Sequence, residues 1–376
     1  MKVLSAFVLV VFLASVGGPA FADAEQNTTE RPDPDLAAAR ELNRRLDQAL
    51  PQAARWLLEH TAPRKRAAGL LYSVSQSGML EAQAAMVERT TTDENLREYD
   101  SIRQSALDAL DRAETRNDDL PALEPTELLD RFEKAIRTTT DGAALAWLAA
   151  ACATANIEAF CVDAGLDDAI VRHDGANLFS RGALLNDPAR ETTEALILDA
   201  YQTKSYLMVL LDTWFDALSA TNAGLQLDDH ERLLGAYTVA LAYAIPAYGP
   251  LARSCGADVE PDSELELACD RILDDMSEHG DTALAQLMPS VIRADRAKAR
   301  GRDQLAAELE AEKQRLHKRA SCAWSEIKAL LEAGDGSRVR QYLSLLSAHG
   351  EIEGLGRFAE ANGIACADSG GLASGQ

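Results

Sequence analysis

Apolar residues recur every three or four positions along most of the chain from residue 36 onward. The first such stretch contains Leu42, Leu46, Leu50, Ala53 and Leu57. This spacing puts the apolar side chains on one face of an amphipathic helix. Pro51 lies inside the stretch, so it must either kink this helix or begin a second one.

The same periodicity predicts further helices along the chain. Their ranges are 64–89, 94–116, 126–138, 143–154, 158–172, 176–185, 189–219, 230–253, 262–279, 282–333, 337–348 and 351–362. Turn-forming residues separate many of them, as at Asp141-Gly142 and Asn186-Asp187-Pro188. The ranges are rich in Ala, Leu, Glu, Arg and Gln, and no alternating run of Val, Ile and Thr occurs. We therefore predict an all-α fold.

One turn in the middle of the chain is repeated. Asp141-Gly142-Ala143 recurs as Asp174-Gly175-Ala176, 33 residues later, and each turn precedes a helix with small and aromatic residues. Over residues 139–205 the chain resembles the tetratricopeptide repeat, whose period is about 34 residues. It also resembles uncharacterised secreted α-helical proteins of Gram-negative bacteria. The resemblance implies helical hairpins stacked as an irregular tetratricopeptide-like α-solenoid, and a compact irregular helical domain is the alternative.

The first residues have the pattern of an export signal. Met1-Lys2 precedes an apolar run from Val3 to Val16 and then Ala20-Phe21-Ala22, which predicts a signal peptide over 1–22. No cysteine lies near that cut to carry a lipid anchor. The remaining organisation that we expect is a disordered lead-in over 23–35, an N-terminal helical region over 36–140, the tetratricopeptide-like region over 141–220, a C-terminal helical region over 221–366 and a flexible tail over 367–376.

The chain is strongly acidic. Sixty acidic and 37 basic residues give a net charge of −23, which repels nucleic acid and anionic lipid and favours basic partners. The most apolar stretch after the signal peptide, 205–218, is too short to span a bilayer and contains Asp212 and Asp216. It is therefore predicted to be a buried helix. We expect a periplasmic or secreted protein that has no membrane anchor and does not bind nucleic acid.

Six cysteines follow the predicted signal peptide: Cys152, Cys161, Cys255, Cys269, Cys322 and Cys366. An even number in an oxidising compartment predicts three disulfides. A zinc site is disfavoured because the chain has no C-x2-C pair. Cys152–Cys161 and Cys255–Cys269 would each join two successive helices, and Cys322–Cys366 then follows by elimination.

Candidate catalytic and metal-binding patterns are weak. Ser325-Glu326-Ile327-Lys328 matches S-x-x-K, but the S-D-N and K-T-G motifs that accompany it in penicillin-binding proteins are absent. His230 follows Asp228-Asp229, which are better explained as helix caps, and His279 suits a helix C-terminus. We therefore predict no catalytic residue, no metal site and no cofactor.

Seven aromatic residues fall between positions 201 and 248. Tyrosine and tryptophan are frequent at recognition surfaces, although such rings also pack neighbouring helices together. We predict a groove or partner interface that is marked by Tyr201, Tyr206, Trp214, Tyr237 and Tyr243.

Export, the repeat and the lack of catalytic motifs together predict a non-enzymatic protein. Its expected ligand is a protein or peptide partner in the periplasm. The alternative is a hydrolase or transferase that acts on envelope material, with its site between helices.

Overall fold

The computed structural model describes residues 34–76, 125–154, 158–182, 190–243, 248–321, 324–333 and 335–364. Within these ranges 83% of the residues are helical and no β-strand occurs. The predicted all-α fold class is therefore confirmed. The predicted helix over 94–116 and the pair Cys322–Cys366 lie outside the described residues.

We number the described helices in chain order. They are α1 Pro34–Glu59, α2 Pro63–Gln76, α3 Pro125–Thr138, α4 Gly142–Thr154, α5 Glu158–Asp163, α6 Leu166–Asp174, α7 Leu178–Gly182, α8 Arg190–Asp199, α9 Leu207–Thr221, α10 Asp229–Tyr243, α11 Tyr248–Cys255, α12 Glu264–His279, α13 Ala283–Ala299, α14 Asp303–Ser321, α15 Trp324–Glu332, α16 Gly336–His349 and α17 Glu351–Ala361. Pro51 lies within α1, which continues through it.

Three of the predicted helices are interrupted by residues that the structure describes, and a fourth, 230–253, is divided between α10 and α11. The predicted range 158–172 is divided between α5 and α6 at Gly165, whose φ of 88° is left-handed. The range 282–333 is divided between α13 and α14 at Gly301, with a φ of 65°. Glycine adopts this conformation without a side-chain clash, which makes it an effective helix terminator. The range 282–333 also contains α15, which begins at Trp324.

The third interruption divides the predicted range 189–219 into α8 and α9. The linker between them pairs with the turn between α6 and α7 instead of continuing the helix. Gln202 N–H donates to the Ala176 carbonyl at 2.9 Å, and Leu178 N–H donates to the Gln202 carbonyl at 2.9 Å. Apolar periodicity alone did not reveal this break, because the competing hydrogen bonds come from a separate segment.

The larger of two apolar cores combines both ends of the described chain. α1 pairs with α2, α2 packs on α4, and α1 also packs on α9, which in turn contacts α10 and α16. Trp147, Phe132 and Trp214 are among its fully buried side chains. Because α1, α9 and α16 are distant in sequence, this core depends on long-range packing as well as on neighbouring hairpins. Stacking as a tetratricopeptide-like solenoid stays a prediction.

The smaller core is formed by α7, α8, α11, α12 and α13. Ile197, Leu251, Ile272 and Met276 are buried in it. Arg296 is also buried here; its guanidinium lies 3.1 Å from Glu266 and 2.8 Å from Asp270, and it donates to the Cys255 carbonyl. A buried arginine requires such partners, so the ion pairs fix α13 against α11 and α12.

Two disulfides lie in different cores. Cys152–Cys161 joins α4 to α5 in the larger core, with 6.4 Å between the Cα atoms. Cys255–Cys269 joins α11 to α12 in the smaller one, with 5.5 Å between the Cα atoms. Both are pairs that the sequence predicts. None of the described helices is long and apolar enough to cross a membrane.

Candidate functional site

A groove of about 430 Å³ runs between α9 and α16. This volume falls in the range of small-ligand clefts, roughly 300–1,000 Å³. The groove is lined by Asp212, Phe215, Asp216, Arg340, Leu343, Ser344, Ser347 and Ala348. The residues from α16 are three or four positions apart and so share one helix face.

The side chains that line the groove are mostly polar. Phe215 and Leu343 lie at its base, but they are buried in the larger core with only 1% and 3% of their surface exposed. Asp212 and Asp216 lie one helical turn apart on α9, so both carboxylates reach the same wall. Arg340 and two serines form the wall on α16. The groups that the groove offers to a ligand are therefore mainly hydrogen-bonding ones.

One of the two carboxylates already has a cationic partner. Lys65 on α2 places its ammonium 3.4 Å from Asp216 Oδ2. The same ammonium lies 4.8 Å from the centroid of the Trp56 ring, where the cation–π attraction also holds it. Lys65 therefore balances the charge of Asp216.

The other carboxylate lacks such a partner. Asp212 is half-buried, and within the described part of the chain it has no hydrogen bond and no ion pair. Burial raises the pKa of Asp212, the negative charge of Asp216 raises it further, and Lys65 partly opposes the shift. Asp212 is therefore a carboxylate whose charged form a bound cation would stabilise.

Arg340 supplies the positive charge of the groove. Its guanidinium carbon lies 5.8 Å from the centroid of the Phe215 ring. In the described ranges Arg340 makes neither a hydrogen bond nor an ion pair, and its side chain is exposed. Its N–H groups are therefore available to donate to carbonyl or carboxylate oxygens of a ligand.

Comparison with known proteins finds no relative. No family model matches the chain, and neither does any curated protein or solved structure. Function must therefore be inferred from the groove and from the other polar clusters of the molecule.

The aromatic residues predicted to mark an interface lie in different environments. Tyr201 is 58% exposed, and Arg271 stacks 4.7 Å from its ring centroid. Trp214 is fully buried and packs on Tyr72. Tyr237 is half-buried, with its hydroxyl 2.9 Å from that of Tyr342. Tyr243 ends α10, and its side chain is outside the described part.

The fifth of these residues, Tyr206, belongs to a polar cluster that joins the two repeated turns. Its hydroxyl donates to Asp174 Oδ1 at 3.0 Å, and the other oxygen of Asp174 accepts from Asn177 at 3.0 Å and from Ser180. The start of α4 is close by, since a Cβ on Gly142 would lie 2.8 Å from the Tyr206 hydroxyl. Burial and the Asp174 carboxylate raise the pKa of Tyr206, so its hydroxyl stays protonated. This cluster is structural, because its groups satisfy one another.

A second polar cluster lies where α9, α13 and α17 begin. The Ser205 hydroxyl is 2.7 Å from both oxygens of Asp281, and the Ala283 N–H donates to Glu351 Oε2 at 2.7 Å. Glu351 N–H donates to the Asp281 carbonyl at 3.0 Å. Burial raises the pKa of both carboxyls, and the charge of Asp281 raises that of Glu351 further. The cluster links the linker before α9 to the helices that follow it.

Two other candidates from the sequence, Asp228 and His279, have structural explanations. Asp228 caps α10 by accepting from Glu231 N–H at 2.8 Å, and His279 lies exposed in the last turn of α12. The side chain of Ser325 is outside the described part. Among the described residues, no three His, Cys, Asp or Glu side chains are grouped so that they could hold a metal ion.

The groove residues differ in how visible they are from the sequence. Asp212 and Asp216 had a signal, because two carboxylates one turn apart interrupt the most apolar stretch of the chain. Phe215 lies within the aromatic segment but outside the predicted set. The sequence gives no signal for Arg340 or for the serines of α16, because only tertiary packing brings α16 against α9.

Proposed function

We propose that this chain is an exported, non-enzymatic scaffold of helical hairpins, similar to tetratricopeptide repeats, that binds a protein or peptide partner in the bacterial cell envelope. The observation that carries this proposal is the groove between α9 and α16. Hydrogen-bond donors on the α16 wall and carboxylate acceptors on the α9 wall suit a peptide, whose backbone offers polar groups of both kinds.

The proposed location rests on two kinds of observation. The predicted signal peptide over 1–22 directs export. Two disulfides in the described chain are typical of oxidising compartments such as the bacterial periplasm. A scaffold that is cross-linked by disulfides suits the periplasm, where its partner would be another envelope protein.

A test of peptide binding needs a variant that fills the groove without disturbing the core. Ser344 is an exposed residue of the α16 wall, so Ser344→Tyr adds bulk to the groove from the outside. Peptides about 12 residues long would be selected from a random displayed library against the wild-type protein. We expect the selected peptides to lose about tenfold or more in affinity for Ser344→Tyr.

Ser277→Tyr is the matched control. Ser277 is also an exposed helical serine, but it lies on α12, away from the groove. Its substitution should leave peptide affinity unchanged. The proposal is wrong if no peptide is selected, or if the selected peptides bind Ser344→Tyr as tightly as the wild type.

One observation favours the alternative of an envelope hydrolase or transferase. The groove holds two carboxylates, and the pKa of Asp212 is raised by burial, as in carboxyl groups that act as general acids. Incubation with purified cell-wall material would separate the two functions. Turnover that Asp212→Asn abolishes would support the enzyme and overturn the non-enzymatic scaffold.

A further inference from the structure

Two partly buried carboxyl groups, those of Asp281 and Glu351, lie at the ends of both groove walls. Asp281 precedes α13, and Glu351 is the first residue of α17. The Glu351 N–H donates to the Asp281 carbonyl at 3.0 Å, and the charge of Asp281 acts on the Glu351 carboxyl. Together they form a carboxyl pair that joins the starts of α13 and α17.

The α9 wall is attached to the carboxyl pair through Ser205. The Ser205 hydroxyl lies 2.7 Å from both oxygens of Asp281, and the Ser205 N–H donates to Asp281 Oδ1 at 3.4 Å. The same hydroxyl accepts at 3.2 Å from the N–H of Leu207, the first residue of α9. Asp281 therefore fixes the start of the helix that carries Asp212 and Asp216 into the groove.

The α16 wall is attached to the carboxyl pair through the turn that follows α16. Ala348 lines the groove and is three residues before Glu351. Gly350 makes the turn with a φ of 75°, and a Cβ on it would lie 3.3 Å from the Asp281 Cα atom. The Glu351 carboxyl in turn accepts from the Ala283 N–H at 2.7 Å. Both walls of the groove are thus anchored on the same two carboxyl groups.

We propose that the carboxyl pair is a proton-controlled link that sets how closely the two groove walls approach each other. With a proton on one of the two groups, the walls are held at their present spacing. When both groups are ionised, their repulsion separates the starts of α13 and α17, and α16, which packs on α17, moves away from α9. The consequence for peptide affinity, which should fall as pH rises, rests on the proposed peptide-binding function.

The physical cause is the cost of two like charges in a partly buried site, where water screens them only weakly. Burial raises the pKa of both carboxyls, and the charge of Asp281 raises that of Glu351 further. Hydrogen bonds from Ser205 and Ala283 oppose the shifts without cancelling them. The link is therefore complete in the acidic range and weakens as pH rises through the folded pKa values.

Other titratable groups lie on the elements around the pair. They are Tyr237 on α10, Tyr248 on α11, Asp275 on α12, which binds Thr203, and Tyr342 and His349 on α16. The charge of Glu351 raises the pKa of the three tyrosines, so their hydroxyls stay protonated and neutral. Histidine is the side chain that ordinarily changes charge between about pH 5 and 8, so His349→Gln is a necessary control.

Hydrogen–deuterium exchange tests the link without a ligand. Exchange of the full chain would be followed by mass spectrometry at about pH 5.5 and pH 7.5, with rates converted to protection factors. In the wild type, we expect the segments at the starts of α9, α13 and α17 to lose about tenfold in protection at the higher pH. Glu351→Gln removes one charge and keeps an acceptor for the Ala283 N–H, so these segments should change little in it.

Further variants test the assignment from both sides. Asp281→Asn removes the other charge and should also abolish most of the pH dependence. Glu353→Gln, at an exposed position of α17, and His349→Gln should both behave like the wild type. Thermal unfolding checks that each variant is folded.

Peptide affinity tests the consequence for the groove. Fluorescein-labelled peptides without histidine, selected at about pH 5.5, would be followed by fluorescence anisotropy. They should bind the wild type about tenfold more weakly at pH 7.5, and Glu351→Gln should remove most of this difference. Asp212 also titrates in the groove, so Asp212→Asn is measured alongside. A pH dependence that Asp212→Asn abolishes and Glu351→Gln leaves intact would overturn the inference.

The outcomes separate this inference from the proposed function. Protection that does not change with pH in the wild type, or that changes equally in Glu351→Gln, overturns the inference and leaves peptide binding standing. Loss of protection with constant peptide affinity also overturns it, because the walls would then not move. If no peptide is selected, the proposed function fails, and exchange in α9 and α16 alone decides whether the pair controls the walls.

Discussion

Tyr206 and Asp174 form a hydrogen bond of 3.0 Å that joins the start of α9 to the end of α6. Tyr206 has a left-handed backbone with a φ of 58°, which a bulky side chain rarely adopts. Its hydroxyl contact therefore holds a residue whose backbone conformation is unfavourable. The bond fixes the direction in which α9, and with it the acidic wall of the groove, leaves the linker.

Tyr206→Phe should lower the free energy of unfolding by about 1–3 kcal/mol, because it removes a hydrogen bond to a carboxylate in a half-buried cluster. Urea denaturation followed by circular dichroism measures this change. Tyr201→Phe is the control, since Tyr201 is exposed and phenylalanine keeps its ring beside Arg271. It should change stability by less than about 0.5 kcal/mol. Equal stabilities for the two variants would contradict the structural role of Tyr206.

Substitution by alanine at two glycines of α17 should change the stability of the protein in opposite directions. A Cβ on Gly354 would lie 2.8 Å from the Leu345 carbonyl oxygen of α16, whereas a Cβ on Gly356 meets nothing within 4 Å. Gly356→Ala should stabilise the protein by about 0.5–1 kcal/mol through its helix propensity. Gly354→Ala should destabilise it by about 1–3 kcal/mol, because α16 and α17 must move apart. Thermal melts of both variants test this, and a stabilising Gly354→Ala would show that the helices pack less closely.

The sequence predicted the helices better than their assembly. Periodicity located the regions of α9 and α16, and the even number of cysteines with their positions at helix ends predicted both described disulfides. It did not locate the break before α9, which depends on hydrogen bonds between Gln202 and the distant turn at Ala176. It also gave no sign that Arg340 and Asp212 line the same groove, since they come together only when two remote helices pack.

The Glu351 carboxyl should make stability depend on pH. Burial and the charge of Asp281 raise its pKa, and its own charge raises the pKa of Tyr237, Tyr342 and Tyr248. The folded state then holds the proton more tightly than the unfolded chain. The stabilisation from this group is present below its unfolded pKa, about 4.3, and is lost as pH rises through the folded pKa.

Glu351→Gln removes this dependence and keeps an oxygen to accept from Ala283 N–H. We expect the stability of the variant relative to the wild type to increase between about pH 4 and pH 7. Denaturant unfolding at several pH values measures the difference. Glu353→Gln, at an exposed position of the same helix, should show no such trend. A difference for Glu351→Gln that stays constant or shrinks with rising pH would contradict the assigned cause.

Removal of Cys255–Cys269 by a double change to alanine should lower the free energy of unfolding by roughly 2–4 kcal/mol, because the unfolded chain regains the freedom that the closed loop had restricted. Chemical reduction of the wild type should lower the free energy of unfolding by at least as much, since it also opens Cys152–Cys161. Thermal unfolding measures both effects. Peptide mapping of the unreduced protein should recover these two linkages together with Cys322–Cys366. Any linkage between the two described pairs would contradict the helix pairing.

The two apolar cores are each assembled from separate parts of the chain. α1 and α2 join a core that also needs α9, α16 and α17, while α7, α8 and α11 to α13 form the other between them. A fragment that lacks either end of the described chain therefore lacks part of the larger core. During synthesis, the apolar face of α1 cannot pack on α9 until α9 has been made. The larger core is complete only when the last described helix has emerged. The larger core can consequently be completed only late in synthesis, once nearly the whole described chain is available.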